Sequence, residues 1–270
     1  DKKKWGLKKD WVPKNSGDEY DEMSLTLKFG LANSINTVTA YIMKQFGPHA
    51  VIDLAKKMGI ESEILAVPSL CLGTFELSVY EMVGAYSTFV NKGMWIEPIF
   101  ITRIEDKNGK ILEKFTPRTQ EAMSRETADL MVRMLQGVVD GVYSLAANKT
   151  NGTGRRLRFR YGFNNEIGGK TGTTQNQSDG WFMGITPNLV TGVWTGCEDR
   201  SAHFRDIYFG QGANMALPVF AEYMQRVYSD TLETGIKSDD VFDILKSVDL
   251  KLDCREATHS ISDDGFDEEF

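Results

Sequence analysis

The fold of this chain is decided by residues 167–185, which read IGGKTGTTQNQSDGWFMGI. Two stretches suited to strands flank a polar segment at residues 175–179, and this pattern is typical of antiparallel strands joined by a turn. We expect the first strand to lie at the edge of its sheet. Unpaired backbone groups at such an edge can bind an extended peptide as an added strand.

The side chains of this first strand suit a peptide carboxylate. Lys170 supplies a positive charge, and the hydroxyls of Thr171 and Thr173 supply short hydrogen-bond donors. Gly172 carries no side chain that would block a close approach of the ligand. A Lys-Thr-Gly sequence also occurs in ordinary surface turns. The motif alone therefore does not identify a binding site, and a second motif elsewhere in the chain is needed as a partner.

That partner is Ser34-Ile35-Asn36, which lies within residues 27–38, LKFGLANSINTV. A Ser-x-Asn triplet is common, and alone it indicates no more than a polar break between two helices. A serine hydroxyl, an amide and a lysine ammonium could nevertheless form one binding site if the fold brought the two motifs to one cleft.

The composition is that of an ordinary globular domain, with 41% hydrophobic and 26% charged residues among 270. The net charge of −7 argues against nucleic acid or an anionic membrane surface as a main partner. Cys71, Cys197 and Cys254 stand far apart without a CxxC pair or a histidine cluster. We therefore predict neither a metal site nor a bound cofactor, and we interpret Cys71 and Cys197 as small core residues.

Apolar periodicity and capping signals predict the secondary structure. Helices are expected over residues 25–32, 37–45, 48–58, 76–90, 124–139 and 214–228, and strands over residues 99–104, 110–115, 167–173, 180–186 and 189–197. Residues 141–165 are interpreted as a loop whose arginines are solvated or paired with carboxylates. Helices followed by a strand meander and a last helix indicate an α+β fold, with helices packed on an antiparallel sheet.

Six stretches, in this order and spacing, resemble the transpeptidase domain of class A (bifunctional) penicillin-binding proteins. They are LANSINTV (31–38), LGTFELS (72–78) with AYSTFVNKG (85–93), the hairpin of residues 98–112, GTG (152–154), GKTGTT (169–174) with DGWFMG (179–184), and TGVWTG (191–196). The resemblance covers about residues 11–228 and implies an α+β fold like that of the serine β-lactamases, with an antiparallel sheet packed between helices.

The family builds its site from three motifs, S-x-x-K, S-x-N and K-[ST]-G. No serine of this chain is followed three positions later by lysine, so the first motif is missing. The resemblance implies that the first strands of the sheet and the S-x-x-K helix lie upstream of this chain, and that residues 1–228 are a partial transpeptidase domain. The less favoured alternative is a degenerate homologue. We expect residues 229–270 to be an acidic and largely disordered extension.

The resemblance also implies roles for individual residues. Ser34, Asn36 and Lys170 would be catalytic: Lys170 and Ser34 would pass a proton to the leaving nitrogen, and Asn36 would bond the amide of the substrate. Thr171, Gly172 and Thr173 would bind the substrate, with the backbone N–H of Thr173 as half of an oxyanion hole. The nucleophilic serine and its lysine are absent from the chain.

The implied partners are peptidoglycan stem peptides and β-lactams, with other cell-wall synthesis proteins as further partners. The implied location is the periplasmic face of the bacterial inner membrane, with anchoring only through a preceding segment. Two alternatives remain open. One is a peptide-binding module without catalysis, and the other is a D,D-carboxypeptidase or β-lactamase of the same superfamily. Without the nucleophile, this chain is expected to bind ligand but not to be acylated.

Overall fold

The computed structural model of the protein describes residues 11–248. The α-helices are α1 Leu27–Ala32, α2 Asn36–Lys57, α3 Val79–Val90, α4 Arg125–Asp140, α5 Arg156–Phe159, α6 Ile207–Gly210, α7 Gly212–Ser229 and α8 Thr231–Thr234. The strands are β1 Met94–Ile96, β2 Arg103–Glu105, β3 Ile111–Lys114, β4 Thr119–Glu121, β5 Val142–Ser144, β6 Lys149–Asn151, β7 Gly168–Thr173, β8 Asp179–Thr186 and β9 Leu189–Gly196.

The principal sheet is an antiparallel meander in the order β7-β8-β9. Lys170 of β7 lies opposite Met183 of β8, and Trp181 of β8 lies opposite Trp194 of β9. Within residues 11–248, β7 and β9 each pair only with β8 and so form the two edges of this sheet. The three predicted strands are confirmed to within a residue at each end.

Helices cover both faces of this sheet. On one face, Phe182 of β8 packs against Phe220 of α7 with ring centroids 4.8 Å apart. On the other face, Ile185 packs in one buried cluster with Val132 and Leu135 of α4. The arrangement is an α+β fold with an antiparallel sheet between helices, which confirms the predicted fold class.

The helix α2 is two helical stretches joined at a kink. Gly47 has φ +77° and ψ 163°, which is not a helical conformation, and Pro48 follows it directly. Proline disfavours a helical conformation at the preceding residue, and glycine tolerates the positive φ that results. The prediction of two separate helices therefore corresponds to two arms that meet without an intervening loop.

Several predicted boundaries were wrong. The helix predicted from residue 76 begins at Val79, because Ser78 and Glu81 form a reciprocal capping box there. Residues 141–165, predicted as a loop, contain the hairpin of β5 and β6 and the short helix α5. The helix predicted from residue 214 begins two residues earlier, at Gly212.

The chain beyond α7 packs onto the domain as far as the described residues extend. The backbone N–H of Phe242 donates to Glu166 Oε2 at 2.7 Å, and that of Leu245 donates to Asp129 Oδ2 at 3.0 Å. Val248 is fully buried. Up to residue 248 the structure therefore differs from the expected disordered extension. Residues 249–270 lie outside the described part of the chain.

Two side-chain interpretations have different outcomes. Cys197 is exposed at the end of β9, so its interpretation as a core residue was wrong, whereas Cys71 is half-buried. In the arginine-rich segment, Arg158 Nη2 lies 2.6 Å from Asp140 Oδ1, which is the carboxylate pairing expected there.

Candidate active site

The Ser-Ile-Asn motif forms the junction between α1 and α2. Ser34 stands between the helices with φ +56°, and Ile35 turns its side chain into the core, where it is 2% exposed. Gly30 permits the tight junction, because a Cβ there would lie 2.7 Å from Val38 Cγ1. The backbone N–H of Ile35 donates to the carbonyl of Gly30 at 2.9 Å. The turn leaves the Ser34 side chain exposed to solvent.

The structure brings Lys170 to this junction. Its Nζ donates to Ser34 Oγ at 2.9 Å and to the carbonyl oxygen of Thr171 at 2.8 Å. Ser34 and Lys170 are 136 positions apart in the sequence, so this contact is a property of the tertiary fold. The serine and lysine motifs thus face each other in the structure.

Burial changes the acidity of the Lys170 amine. Desolvation of the charged form lowers the pKa of Lys170 from its ordinary value to about 8. At neutral pH most of the amine is therefore still an ammonium, which can bind a carboxylate. The same amine loses its proton within one or two pH units of neutrality, as a group that passes protons must.

The two threonine hydroxyls on β7 have different partners. Thr171 is buried, and its Oγ1 donates to Thr153 Oγ1 at 2.8 Å. Thr173 is exposed, and its Oγ1 accepts a hydrogen bond from the backbone N–H of Gly212 at 3.0 Å. Because the Thr173 oxygen is an acceptor in that contact, its own proton remains available to a ligand.

The open edge of β7 presents backbone donors. The N–H of Thr174 donates towards β8, to the carbonyl of Asp179 at 3.2 Å. Successive N–H groups of an extended strand point to opposite sides, so the N–H of Thr173 points away from β8. Gly172 lies between the two threonines and opposite Trp181, and it leaves this stretch of the edge without a side chain.

Asn36 opens α2, and the structure gives its amide a partner within the chain. Asn36 Nδ2 donates to the backbone carbonyl of Lys14 at 2.7 Å. Next to it, Asn15 Oδ1 accepts from the backbone N–H of Thr37 at 3.1 Å, which supplies the side-chain cap that Ile35 cannot provide for α2. The role expected for Asn36 towards substrate stays a prediction.

Sequence reasoning missed two contributors to this geometry, Asn15 and Thr153. Asparagine is a common capping residue, but the helix that Asn15 caps, α2, begins more than 20 positions later. Thr153 lies in the Gly-Thr-Gly stretch that carries part of the family resemblance, where no role suggested itself. In both cases the signal was a residue type whose partner is remote in sequence.

Two cavities of the described part of the chain are lined by none of the candidate site residues. One of about 520 Å³ is lined by residues of α1, α4 and the segment after α5, among them Lys28, Arg133, Asp140, Arg158 and Glu166. Ser34 and Lys170 do not line it. The site at β7 is an open strand edge beside a helix junction, and this shape suits an extended peptide.

Comparison with known proteins identifies the family. A family model described as the penicillin-binding protein transpeptidase domain matches residues 1–195. Penicillin-binding protein 1A of Aquifex aeolicus is 34% identical over 218 residues, covering 81% of this chain and 28% of that protein. Penicillin-binding protein 2D of Bacillus subtilis is 31% identical over 227 residues, covering 84% and 31%. The chain thus spans about 30% of the length of these relatives.

Solved structures of penicillin-binding proteins have the same fold as this chain. Penicillin-binding protein 1A from Haemophilus influenzae superposes with a TM-score of 0.72 at 26% identity, covering 87% of this chain and 38% of that one. The PonA1 protein of Mycobacterium tuberculosis, solved in complex with penicillin V, superposes at 0.59 and shares the fold at 22% identity, covering 80% and 58%. Within residues 11–248, no helix is long and apolar enough to cross a bilayer. The chain belongs to the penicillin-binding protein transpeptidase family, with relatives of the class A, 1A type.

Proposed function

We propose that this chain forms the peptide-binding part of a serine D,D-transpeptidase site that cross-links peptidoglycan outside the bacterial inner membrane. The observation that carries the proposal is the hydrogen bond from Lys170 Nζ to Ser34 Oγ, at 2.9 Å. It joins the two motifs at the open edge of β7, where an extended stem peptide can be added to the sheet.

The terminal carboxylate of a D-Ala-D-Ala stem peptide is the ligand that best fits this edge. The Lys170 ammonium attracts it, and the Thr173 hydroxyl donates to it, because that oxygen already accepts from Gly212. Thr171 can turn its own proton to the same carboxylate while Thr153 donates its proton to Thr171 Oγ1, so that the bond between the two hydroxyls is kept with its direction reversed. Gly172 lets the peptide backbone come close to the strand.

Transpeptidation also needs proton transfer and charge stabilisation. In our proposal, Lys170 and Ser34 pass a proton to the departing D-Ala nitrogen, for which the pKa of about 8 of the lysine is well placed. The outward N–H of Thr173 forms half of the oxyanion hole, and Asn36 bonds the amide of the substrate. Asn36 must then exchange its contact with Lys14 for the ligand.

The S-x-x-K motif, which holds the nucleophilic serine in the family, is missing from this sequence. None of the serines in the 270 residues is followed three positions later by lysine. We infer that acylation requires a serine and lysine outside this sequence. The chain by itself then binds stem peptides and β-lactams without forming a covalent bond.

Titration calorimetry of the 270-residue chain with an N-acylated L-Lys-D-Ala-D-Ala peptide tests the binding step. We expect measurable affinity, which Lys170→Met weakens by about 10- to 100-fold because a charged hydrogen bond is lost. Lys114→Met, on an exposed hairpin strand, is the matched control and leaves affinity unchanged. Equal binding of the L-Ala-L-Ala peptide, or no effect of Lys170→Met, contradicts the proposed site.

Labelling with a fluorescent penicillin tests the inferred absence of acylation. After incubation and denaturing electrophoresis, the chain is expected to show no labelled band, whereas an intact penicillin-binding protein run in parallel does. A labelled band from this chain would mean that one of its own serines acts as nucleophile.

A second candidate function is a peptide-binding module without catalysis, and the observation in its favour is the missing S-x-x-K motif. The two candidates differ in the complete protein that contains these residues. An enzyme acquires a penicillin-labelled serine there, whereas a binding module binds the D-Ala-D-Ala peptide with the same affinity and remains unlabelled.

A further inference from the structure

The turn formed by residues 151–154 contacts both halves of the candidate site. Thr153 Oγ1 accepts a hydrogen bond from Thr171 Oγ1 at 2.8 Å, and the backbone N–H of Thr153 donates to the carbonyl of Ala32 at 2.9 Å. Beside it, Asn33 Nδ2 approaches the carbonyl of Asn151 at 3.4 Å. One residue therefore bonds to β7 with its side chain and to the end of α1 with its backbone.

The glycines on either side fix this turn against α4. A Cβ on Gly152 would lie 2.6 Å from the carbonyl oxygen of Val138, so only glycine fits there. The N–H of Gly154 donates to the same Val138 carbonyl at 2.9 Å. Because the backbone is held on both sides, the Thr153 hydroxyl is presented to β7 from a rigid support.

Ser34 depends on such support. It has a left-handed backbone with φ +56°, which is unfavourable for a residue with a side chain. Conformations of this kind persist only where neighbouring contacts fix them. Ala32 and Asn33 directly precede Ser34, and both are bonded to the 151–154 turn.

We propose that Thr153 is a positioning residue of the transpeptidase site, which holds the Ser34 junction and the Lys170 strand at the separation that their hydrogen bond requires. This inference rests on the proposed function, which assigns Ser34 and Lys170 to peptide binding. Thr153 itself reaches no reacting atom, and it acts through the position of Ser34.

Thr153→Val is the informative variant, because it keeps the shape and removes the hydroxyl. We expect affinity for the D-Ala-D-Ala peptide to fall about 5- to 10-fold, and Thr153→Ser to restore it. Thr150→Val, an exposed position on β6 in the same hairpin, is the matched control and leaves affinity unchanged. All variants are measured well below their unfolding temperatures, so that the folded fraction is equal.

A double-mutant cycle with Ser34→Ala separates positioning from general destabilisation. If Thr153 acts through Ser34, Thr153→Val weakens binding much less in the Ser34→Ala background than in the parent chain. An equal fold-change in both backgrounds, or no change in either, overturns the inference. Should Thr153→Val fail to fold, Thr153→Ala removes the same hydrogen bond without added bulk and takes its place in the cycle.

A measurement without ligand keeps the inference distinct from the proposed function. NMR titration of the lysine side chains measures the pKa of Lys170, which we expect at about 8 in the parent chain because burial lowers it. With Thr153→Val we expect this pKa to rise, because a loosened junction admits water to the ammonium. If the parent chain binds no peptide, the proposed function fails, and the titration still decides whether Thr153 holds the junction. An unchanged pKa counts against it.

Discussion

At the residue scale, Ser34 and Lys170 depend on each other. The left-handed backbone of Ser34 costs roughly 1–2 kcal/mol, and it turns the hydroxyl to within 2.9 Å of the Lys170 amine. The amine is in turn enclosed enough for its pKa to fall to about 8. Ser34 carries backbone strain and Lys170 is desolvated. Both features lower stability locally, and both are found most often at functional sites.

The titration of Lys170 predicts the pH dependence of peptide binding. Only the protonated amine attracts a carboxylate, so affinity should be constant below about pH 7 and should weaken as the pH rises through about 8. Calorimetry between pH 6 and pH 10 measures this profile. Lys170→Met should bind weakly and remove the dependence, and a parent chain with constant affinity up to pH 10 would contradict the assignment.

A second prediction concerns the contact between β7 and α7. A Cβ on Gly212 would overlap the carbonyl oxygen of Gly172 and lie 2.5 Å from that of Trp181, and backbone atoms cannot move aside cheaply. We expect Gly212→Ala to lower the free energy of unfolding by about 1–3 kcal/mol despite the better helix propensity of alanine. Urea denaturation measures it, with Gly17→Ala, where no atom lies within 4 Å, as the control. Equal midpoints would disprove the close contact.

At the element scale, α3 is fixed at its first turn by Glu81. Its carboxylate accepts from the backbone N–H groups of Ser62 at 2.9 Å and Ser78 at 3.1 Å, and from both serine hydroxyls. Partial desolvation raises the pKa of Glu81, but these hydrogen bonds outweigh it and lower the pKa to about 2. These hydrogen bonds therefore also connect α3, which packs against β9, to Ser62.

This capping predicts an acid-sensitive contribution to stability. The pKa of Glu81 is depressed in the folded state, so its contribution is complete above about pH 4.5 and is lost as the pH falls towards 2. Glu81→Gln should cost about 1–2 kcal/mol at pH 7 and should flatten the pH dependence of unfolding in that window. Glu113→Gln, on the exposed β3 strand, is the control. A variant as stable as the parent at pH 7 would refute the prediction.

At the scale of the whole molecule, the principal sheet has two edges with different chemistry. The edge at β7 carries Lys170 and the threonines of the candidate site. The edge at β9 has no strand partner among residues 11–248, and it carries Trp194, which is 41% exposed. An unpaired edge with exposed apolar side chains favours pairing with another chain.

We therefore expect the 270-residue chain to self-associate with increasing concentration. Trp194→Lys should reduce association, because a charge on an edge strand opposes edge-to-edge pairing. Leu232→Lys, which changes an apolar residue that is 98% exposed on α8, is the control for a general gain in solubility. Sedimentation velocity over a range of concentrations measures the effect, and a monomeric parent chain, or equal effects of both variants, would argue against the β9 edge.

Local sequence patterns were enough to predict the principal strands, the longer helices and the resemblance to the family. Strands β7, β8 and β9 were predictable because the Lys170 motif, the polar turn after it and the apolar run that follows are signals that act over a few positions. The cap at Ser124 was predictable for the same reason, since its hydroxyl accepts from Thr127, three residues away. The candidate residues Ser34, Asn36 and Lys170 could be named from motif resemblance, but not their contacts.

Which of these residues come into contact depends on the tertiary fold. The Ser34–Lys170 bond, the Thr153–Thr171 bond and the packing of residues up to Val248 join parts that are distant in the sequence. Such contacts depend on how helices stack on the sheet, and no local pattern of residue types encodes that geometry. A hydrogen bond also needs its donor and acceptor atoms about 3 Å apart. The packed core around β8 holds the elements that carry these atoms at that separation.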